Sequence, residues 1–175
     1  MIDGVPTLAL LPLLLFLTGC MTVASSPAPA LSCRIEPQAP LVAGGPIRIR
    51  FELANRSESP LRVLTWNTPL EGWKGTILEV RRGREELPYQ GPMFKRGDPQ
   101  AGDYAEIPAG GQVDATVDLA EVYDVSRPGT YRIETAGDLL DVTADSAAVP
   151  RPRDRHQPAP LRCAPVTLDV APAPP

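Results

Sequence analysis

The sequence predicts an all-β fold, an immunoglobulin-like antiparallel β-sandwich of about 7–9 short strands. Three observations carry that expectation. Apolar and polar residues alternate with a period of two in several short stretches. Turn residues separate those stretches, within a total of 22 prolines and 14 glycines. No segment shows a long amphipathic helical period.

The elements follow in order. Ile47, Ile49, Phe51 and Leu53 alternate with Arg48, Arg50, Glu52 and Ala54, the pattern of a strand with one wet face. Asn55-Arg56-Ser57-Glu58-Ser59-Pro60 is a turn cluster, and Leu61 to Trp66 is expected to return beside the first strand. On it, Leu64 and Trp66 share the face expected to point into the sandwich, with Val63 and Thr65 opposite. Trp73 is expected at a partly exposed edge. Thr76 to Arg82 forms a third strand, closed by a hairpin tip at Arg82-Gly83-Arg84 and followed by Glu85 to Tyr89. Gln90 to Asp103, with Gly91, Pro92, Gly97, Pro99 and Gly102, is a long loop. After a turn at Pro108-Ala109-Gly110-Gly111, Val113, Ala115, Val117 and Leu119 alternate with Asp114, Thr116 and Asp118. Leu119 to Tyr123 has room for one helical turn. Thr130 to Thr135, Leu139 to Val142 and Arg162 to Val170 supply the last strands.

One local motif sharpens the fold class. Asp124 to Ile133 resembles the corner that leads into strand F of immunoglobulin-like sandwiches, where a tyrosine hydroxyl bonds back to the backbone. Tyr131 is the candidate for that role.

The N-terminus points to a compartment. Leu8 to Leu17 is an apolar run of about ten residues, short of the ~20 that a spanning helix needs but suited to a secretory signal. Leu17-Thr18-Gly19-Cys20 resembles the lipobox of bacterial lipoproteins, which implies cleavage before Cys20 and lipidation of that residue. MIDGVPT departs from a standard signal start, with Asp3 and neither Lys nor Arg. The alternatives are a plain signal that happens to contain a cysteine and a buried apolar segment. The expected organisation is a signal peptide over 1–19, a flexible tether over 20–30, a sandwich domain over 31–170 and a disordered tail over 171–175. By analogy with lipoproteins, Met21 after the lipidated cysteine points to outer-membrane sorting. The expected location is the bacterial envelope, lipid-anchored on the periplasmic side or at the cell surface.

Composition excludes some classes and constrains others. The formal charge of −4, with both signs interspersed, argues against a nucleic-acid partner. With Cys20 assigned to lipid, Cys33 and Cys163 remain near the two ends of the domain, a pair expected to form a disulfide in an oxidising compartment. The alternative is two buried, unpaired thiols. Zinc fits poorly, because two cysteines and one histidine do not make a structural site.

No catalytic constellation emerges from the sequence. HExxH, GxSxG, GxxxxGK[ST] and a strand-borne GxGxxG are absent. His156 stands in a Pro- and Arg-rich stretch, where a solvated side chain is the simpler expectation. Glu85 and Glu86 sit beside Arg82 and Arg84 as a solvated hairpin. Asp98, Asp103 and Glu106 cluster around a loop but lack calcium-loop spacing. Asn55-Arg56-Ser57 matches a glycosylation sequon and is more simply a turn. No catalysis and no cofactor are expected.

Several stretches together resemble the N-terminal, non-catalytic domain of bacterial peptidyl-Lys metalloendopeptidases, zinc proteases of the deuterolysin or aspzincin group. They are Asn55-Arg56-Ser57 with Pro60 to Gly72, Pro88 to Gly97, Asp103-Tyr104, and Ile107 to Gly110. Val117 to Leu119, Tyr123 to Val125, Pro128 to Tyr131, Pro150-Arg151-Pro152, His156-Gln157-Pro158 and Leu161-Arg162-Cys163 continue the match. The HExxH and downstream Asp of those proteases have no counterpart here, so no metal ligand carries over. The resemblance implies a propeptide-like role: assisting the folding of a protease, covering its cleft, or both.

Three functions follow as expectations. The first is a non-enzymatic protein-binding module whose loop from Tyr89 to Tyr104 contacts a secreted metalloendopeptidase or another envelope protein, with Tyr89, Pro92, Met93, Phe94, Lys95 and Tyr104 as contact residues. There, Lys95 would mimic a substrate side chain. The second is a structural envelope lipoprotein without a protease partner. The third is an enzyme built on Asp98, Asp103, His156 or a bound metal.

Overall fold

The computed structural model describes residues 30–175. The expected signal peptide, Cys20 and all of the expected tether except Ala30 lie outside the described residues. Ten strands carry the fold: β1 (Leu31–Gln38), β2 (Arg48–Asn55), β3 (Leu61–Leu64), β4 (Leu78–Arg82), β5 (Glu85–Glu86), β6 (Tyr104–Ile107), β7 (Gln112–Asp118), β8 (Gly129–Thr135), β9 (Val142–Thr143) and β10 (Val166–Val170). They form three antiparallel sheets, ordered β1-β2-β7, β10-β8-β4-β5 and β6-β3-β9. The all-β sandwich expected from the alternating pattern is what the chain adopts, with ten strands among the described residues.

The first two sheets enclose the core because their alternation is in phase. β2 buries Ile49, Phe51 and Leu53 and leaves Arg50 and Glu52 to face the wet side. There Arg50 pairs with Asp114 of β7, and Arg34 of β1 with Glu52. Opposite, β4 contributes Leu78 and Val80, β8 Tyr131 and Ile133, and β10 Leu168 and Val170 to the same apolar cluster. Burial of each such side chain stabilises by roughly 1.5–3 kcal/mol.

The chain departs from expectation at β3. It does not return beside β2 but pairs with β6 and β9 in the third sheet. The reason is that β2 is central: β1 and β7 already occupy both of its edges. The corner between β2 and β3 is held by Asn55, which is fully buried. Its Nδ2 lies 2.8–3.1 Å from the carbonyl oxygens of Ser59, Ile107 and Pro108, and its Oδ1 accepts from the Ser57 N–H and hydroxyl. The sequon asparagine therefore spends its amide inside the protein. Leu64 and Trp66 are buried as expected, and Leu61 and Val63 on the opposite side of β3 are buried as well. Leu61 and Val63 enter the sandwich core, whereas Leu64 and Trp66 form a second cluster with Tyr104.

Strands β1 and β6 are not among those predicted from the pattern. β1 carries Pro37, which is tolerated because β1 is an edge strand. The Arg162 to Val170 segment narrows to β10, and Ala171 continues it by exchanging backbone bonds with Leu41 and Ala43. The turn between β7 and β8 behaves as its motif predicts. The Tyr131 hydroxyl donates to the Arg127 carbonyl at 2.6 Å, and Gly129 takes a φ of 142° that a side chain would disfavour. The hairpin tip sits between Arg82 and Glu85, which pair in register and form an ion pair.

Cys33 of β1 is disulfide-bonded to Cys163, which precedes β10, so the bridge joins the two sheets of the sandwich. It closes a loop with a sequence separation of 130. Replacing both cysteines by alanine should lower unfolding stability by about 5 kcal/mol in the chain-entropy model. Urea titration of the double variant against the oxidised wild type measures it.

Candidate functional site

The segment from Leu87 to Asp103 leaves the sandwich and comes back as a projecting loop, and both of its stems are pinned. At the outgoing stem Leu87 is buried, and its N–H donates to Val80. The Tyr89 ring then packs against Trp73 and Tyr123, with centroids 6.3 and 5.7 Å away. Trp73 is itself fixed, since its indole N–H donates to the Asp118 carbonyl at 3.1 Å. The Tyr89 hydroxyl donates to the Pro92 carbonyl at 3.0 Å. Gly91 makes this possible, because a Cβ there would lie 2.5 Å from the Tyr89 hydroxyl oxygen and from Val122 Cγ1. Burial pushes the ionisation of the Tyr89 phenol upward.

The returning stem rests on the other tryptophan. The Arg96 guanidinium lies over the Trp66 ring, 4.8 Å from its centroid, and both Glu71 oxygens take its Nη2 at 2.7 and 2.6 Å. The Glu71 side chain is 3% exposed, so this ion pair is shielded from solvent. Glu71 is presented by a short 3-10 turn over Pro69–Glu71, capped by the Thr68 hydroxyl. Asn67 turns the chain into it with a φ of 59°, a conformation that asparagine tolerates better than most residues. Beyond Arg96, Asp98 accepts the Arg153 backbone N–H at 3.0 Å, and the Arg153 side chain donates to the Arg96 carbonyl.

Between these stems Met93 and Phe94 are 73% and 56% exposed. Pro92 and Lys95 are exposed beside them, and the Phe94 N–H donates to the Lys74 carbonyl. Five of the six expected contact residues thus belong to one loop, with Tyr89 as its buttress and Pro92 to Lys95 as its tip. Tyr104 does not join them. It begins β6 with 6% exposure, and its hydroxyl donates to Asp141 Oδ2 at 2.7 Å, so its ring faces the interior rather than a partner.

Asp141 belongs to a network that went unread in the sequence. Fully buried, it lies 3.2 Å from Arg151 Nη1 and accepts the Gln157 N–H at 2.8 Å. Burial first, then donation to Asp141, push the Tyr104 ionisation up to about 12. The network sets the position of the segment from Arg151 to Gln157, which faces the loop across an open cleft of 960 Å³. Trp66, Arg96, Asp98, Arg153, Arg155 and His156 are among the residues lining it. His156 is half-buried rather than solvated and meets Trp66 edge to face at 6.5 Å. Trp66 Nε1 and His156 Nε2 are buried with no hydrogen-bond partner among the described residues.

The carboxylates considered for metal or catalysis are dispersed. Asp98 serves Arg153, Asp103 accepts the Gln100 N–H, and Glu106 pairs with Arg62. Among the described residues no three His, Cys, Asp or Glu side chains are grouped to hold a metal ion. Asp98 and His156 do share the cleft, a juxtaposition that their sequence separation concealed. The residues missed beforehand are Glu71, Arg96, Asp141 and Arg151. A signal existed for Asp141 alone, a lone acid within Leu139-Leu140-Asp141-Val142.

The structure thus defines a disulfide-bridged β-sandwich that presents one pinned, apolar-tipped loop beside a polar cleft. No family model matches the chain. It is similar to the "Extracellular protease" of Aeromonas hydrophila, 27% identical over 124 residues, which make up 70% of this chain and 34% of that protein. The chain therefore spans about a third of the relative's length.

Two outcomes test this geometry. Gly91→Ala should displace Tyr89 and destabilise by about 1–3 kcal/mol, seen in thermal or urea unfolding. Tyr104 ionises higher folded than unfolded, where phenols titrate near 10. Its contribution is therefore complete below pH 10 and falls away as pH rises from about 10 to 12. Tyr104→Phe should lose that part of the alkaline dependence and be less stable at neutral pH by about 1–3 kcal/mol, because Asp141 loses a donor.

Proposed function

We propose that this chain is a non-enzymatic recognition domain that docks on a secreted zinc metalloendopeptidase and restrains it or assists its folding. The observation that carries the reading is the loop tip. Met93 and Phe94 are exposed while the stems on either side are clamped by Trp73, Tyr89, Trp66, Arg96 and Glu71. An apolar tip already held in one conformation loses little conformational entropy on binding, which favours affinity. The similarity to part of an extracellular protease supports a partner of that class. The resemblance to the non-catalytic domain of peptidyl-Lys metalloendopeptidases narrows it, and gives Lys95 a role at the tip as a substrate-like side chain. Lipidation at Cys20 would hold the domain at the envelope, on the tether that follows. The absence of HExxH and GxSxG from the sequence favours binding over catalysis.

The test is capture and inhibition of a lysine-specific metalloendopeptidase by the domain from residue 31 onward. The wild type should bind it. The Met93→Ala, Phe94→Ala double variant should weaken binding at least tenfold, the range of an interface hot spot. Lys95→Ala should reduce inhibition more than Lys95→Arg does. No binding by a correctly folded wild type, or equal binding by the double variant, would overturn this reading in favour of a structural envelope lipoprotein.

A further inference from the structure

We propose that Lys95 is a bait for a lysine-directed endopeptidase, which hydrolyses the chain there and is not released, because the cut domain stays whole and keeps both new ends in the enzyme's active-site groove. The proposal rests on the docking role of the loop tip and adds what becomes of the tip once docked.

Lysine is scarce in this chain. The 17 basic residues include only two lysines, Lys74 and Lys95. Lys74 is half-buried, and its carbonyl accepts the Phe94 N–H at 3.1 Å. Lys95 is exposed at the tip, so an enzyme that selects lysine meets one open target on the folded domain. Around it, Pro92 to Gly97 runs without helix, strand or turn, and exposed loop tips are preferred sites of nicking.

Each flank of Lys95 is held independently of the bonds to be cut. Toward the N-terminus, Phe94 is tied to Lys74, and the Pro92 carbonyl to the Tyr89 hydroxyl. Toward the C-terminus, Glu71 grips the Arg96 guanidinium over the Trp66 ring, and the Arg96 carbonyl accepts from Arg153. Hydrolysis breaks one amide C–N bond. Water supplies a hydroxyl to the carbonyl carbon and a proton to the nitrogen, which leaves a carboxylate and an ammonium. In an ordinary substrate those ends diffuse apart. Here they remain side by side, at the high effective concentration of groups fixed in one structure.

The fold itself bridges the break. A cut at Lys95 leaves β1 to β5 on one fragment and β6 to β10 on the other. β2 pairs with β7, β3 with β6 and β9, and β4 with β8, so all three sheets are shared between the fragments. The Cys33–Cys163 bridge joins them covalently. The cut domain is therefore still one molecule around one core.

The first experiment uses a serine endopeptidase that cuts only after lysine, so that retention is read apart from docking. The oxidised protein should be cut at Lys95–Arg96 alone, run as one full-length species on a non-reducing gel, and split into two fragments on a reducing gel. It should keep a single cooperative unfolding transition in urea. The second experiment titrates the purified cut form into a lysine-specific metalloendopeptidase, where it should inhibit within about fivefold of the intact protein. Glu71→Gln should raise the ratio of cut to intact inhibition constants at least tenfold. Arg153→Gln, at an exposed position, should raise it at least threefold, so the test stands even if the Glu71 variant does not fold. The proposal is overturned if Lys95 is not cut, if cutting abolishes the unfolding transition, or if the intact protein inhibits and the cut form is more than about fivefold weaker. Failure of both forms to inhibit overturns the docking reading, and the proposal with it.

Discussion

The cleft beside the loop depends on one buried charge. Asp141 has no exposure, and an ion taken out of water costs several kcal/mol unless its neighbours replace the lost solvation. Here they do so from separate parts of the chain. Tyr104 of β6 donates a hydroxyl, Arg151 brings a guanidinium, and Gln157 offers a backbone N–H. The Asp141 carbonyl also accepts the Leu64 N–H of β3. Satisfying this one side chain therefore fixes the third sheet against the segment that forms a wall of the cleft. Arg151 is 9% exposed and carries the compensating charge, so the pair is a constraint on position more than a source of stability.

The two tryptophans divide a second task. Both fall in the stretch between β3 and β4, yet they never meet. Trp73 packs beneath Tyr89 against the main core, and Trp66 lies beneath Arg96 in the smaller cluster. Each holds one stem of the same loop, and the turn between them supplies Glu71 to complete the Arg96 clamp. Aromatic area and a shielded ion pair together replace the backbone ladder that a loop lacks. The tip residues can then be exposed and apolar without the loop collapsing onto the sandwich. The cost of that arrangement is local. Asn67 is left-handed and Gly91 admits no side chain.

The parts legible beforehand are those decided by neighbours in sequence. Alternation in β2 and β7, the Gly83 hairpin and the Tyr131 corner each depend on a few contiguous residues, and each was found as expected. β1 escaped because Cys33 and Pro37 blur its pattern, and β6 because four residues are too few to show a period. The tip residues were visible as an apolar group in a loop of turn residues. Their mounting was not, since Arg96 meets Glu71 across 25 positions and Asp98 meets Arg153 across 55. Tyr104 was misjudged for the same reason, because its partner Asp141 lies 37 positions away.

The sequence by itself determined an all-β sandwich, the Cys33–Cys163 bridge and the exposure of one apolar loop tip. Those features follow from period, turn chemistry and cysteine count, which are local or compositional. Only the tertiary structure decided which face of β3 meets the core, where β3 pairs and how Trp66, Arg96 and His156 come to share a cleft. Strand pairing is a competition for a limited number of edges, and the burial of Asp141 requires donors from three places at once. Neither is written in any single stretch of the chain.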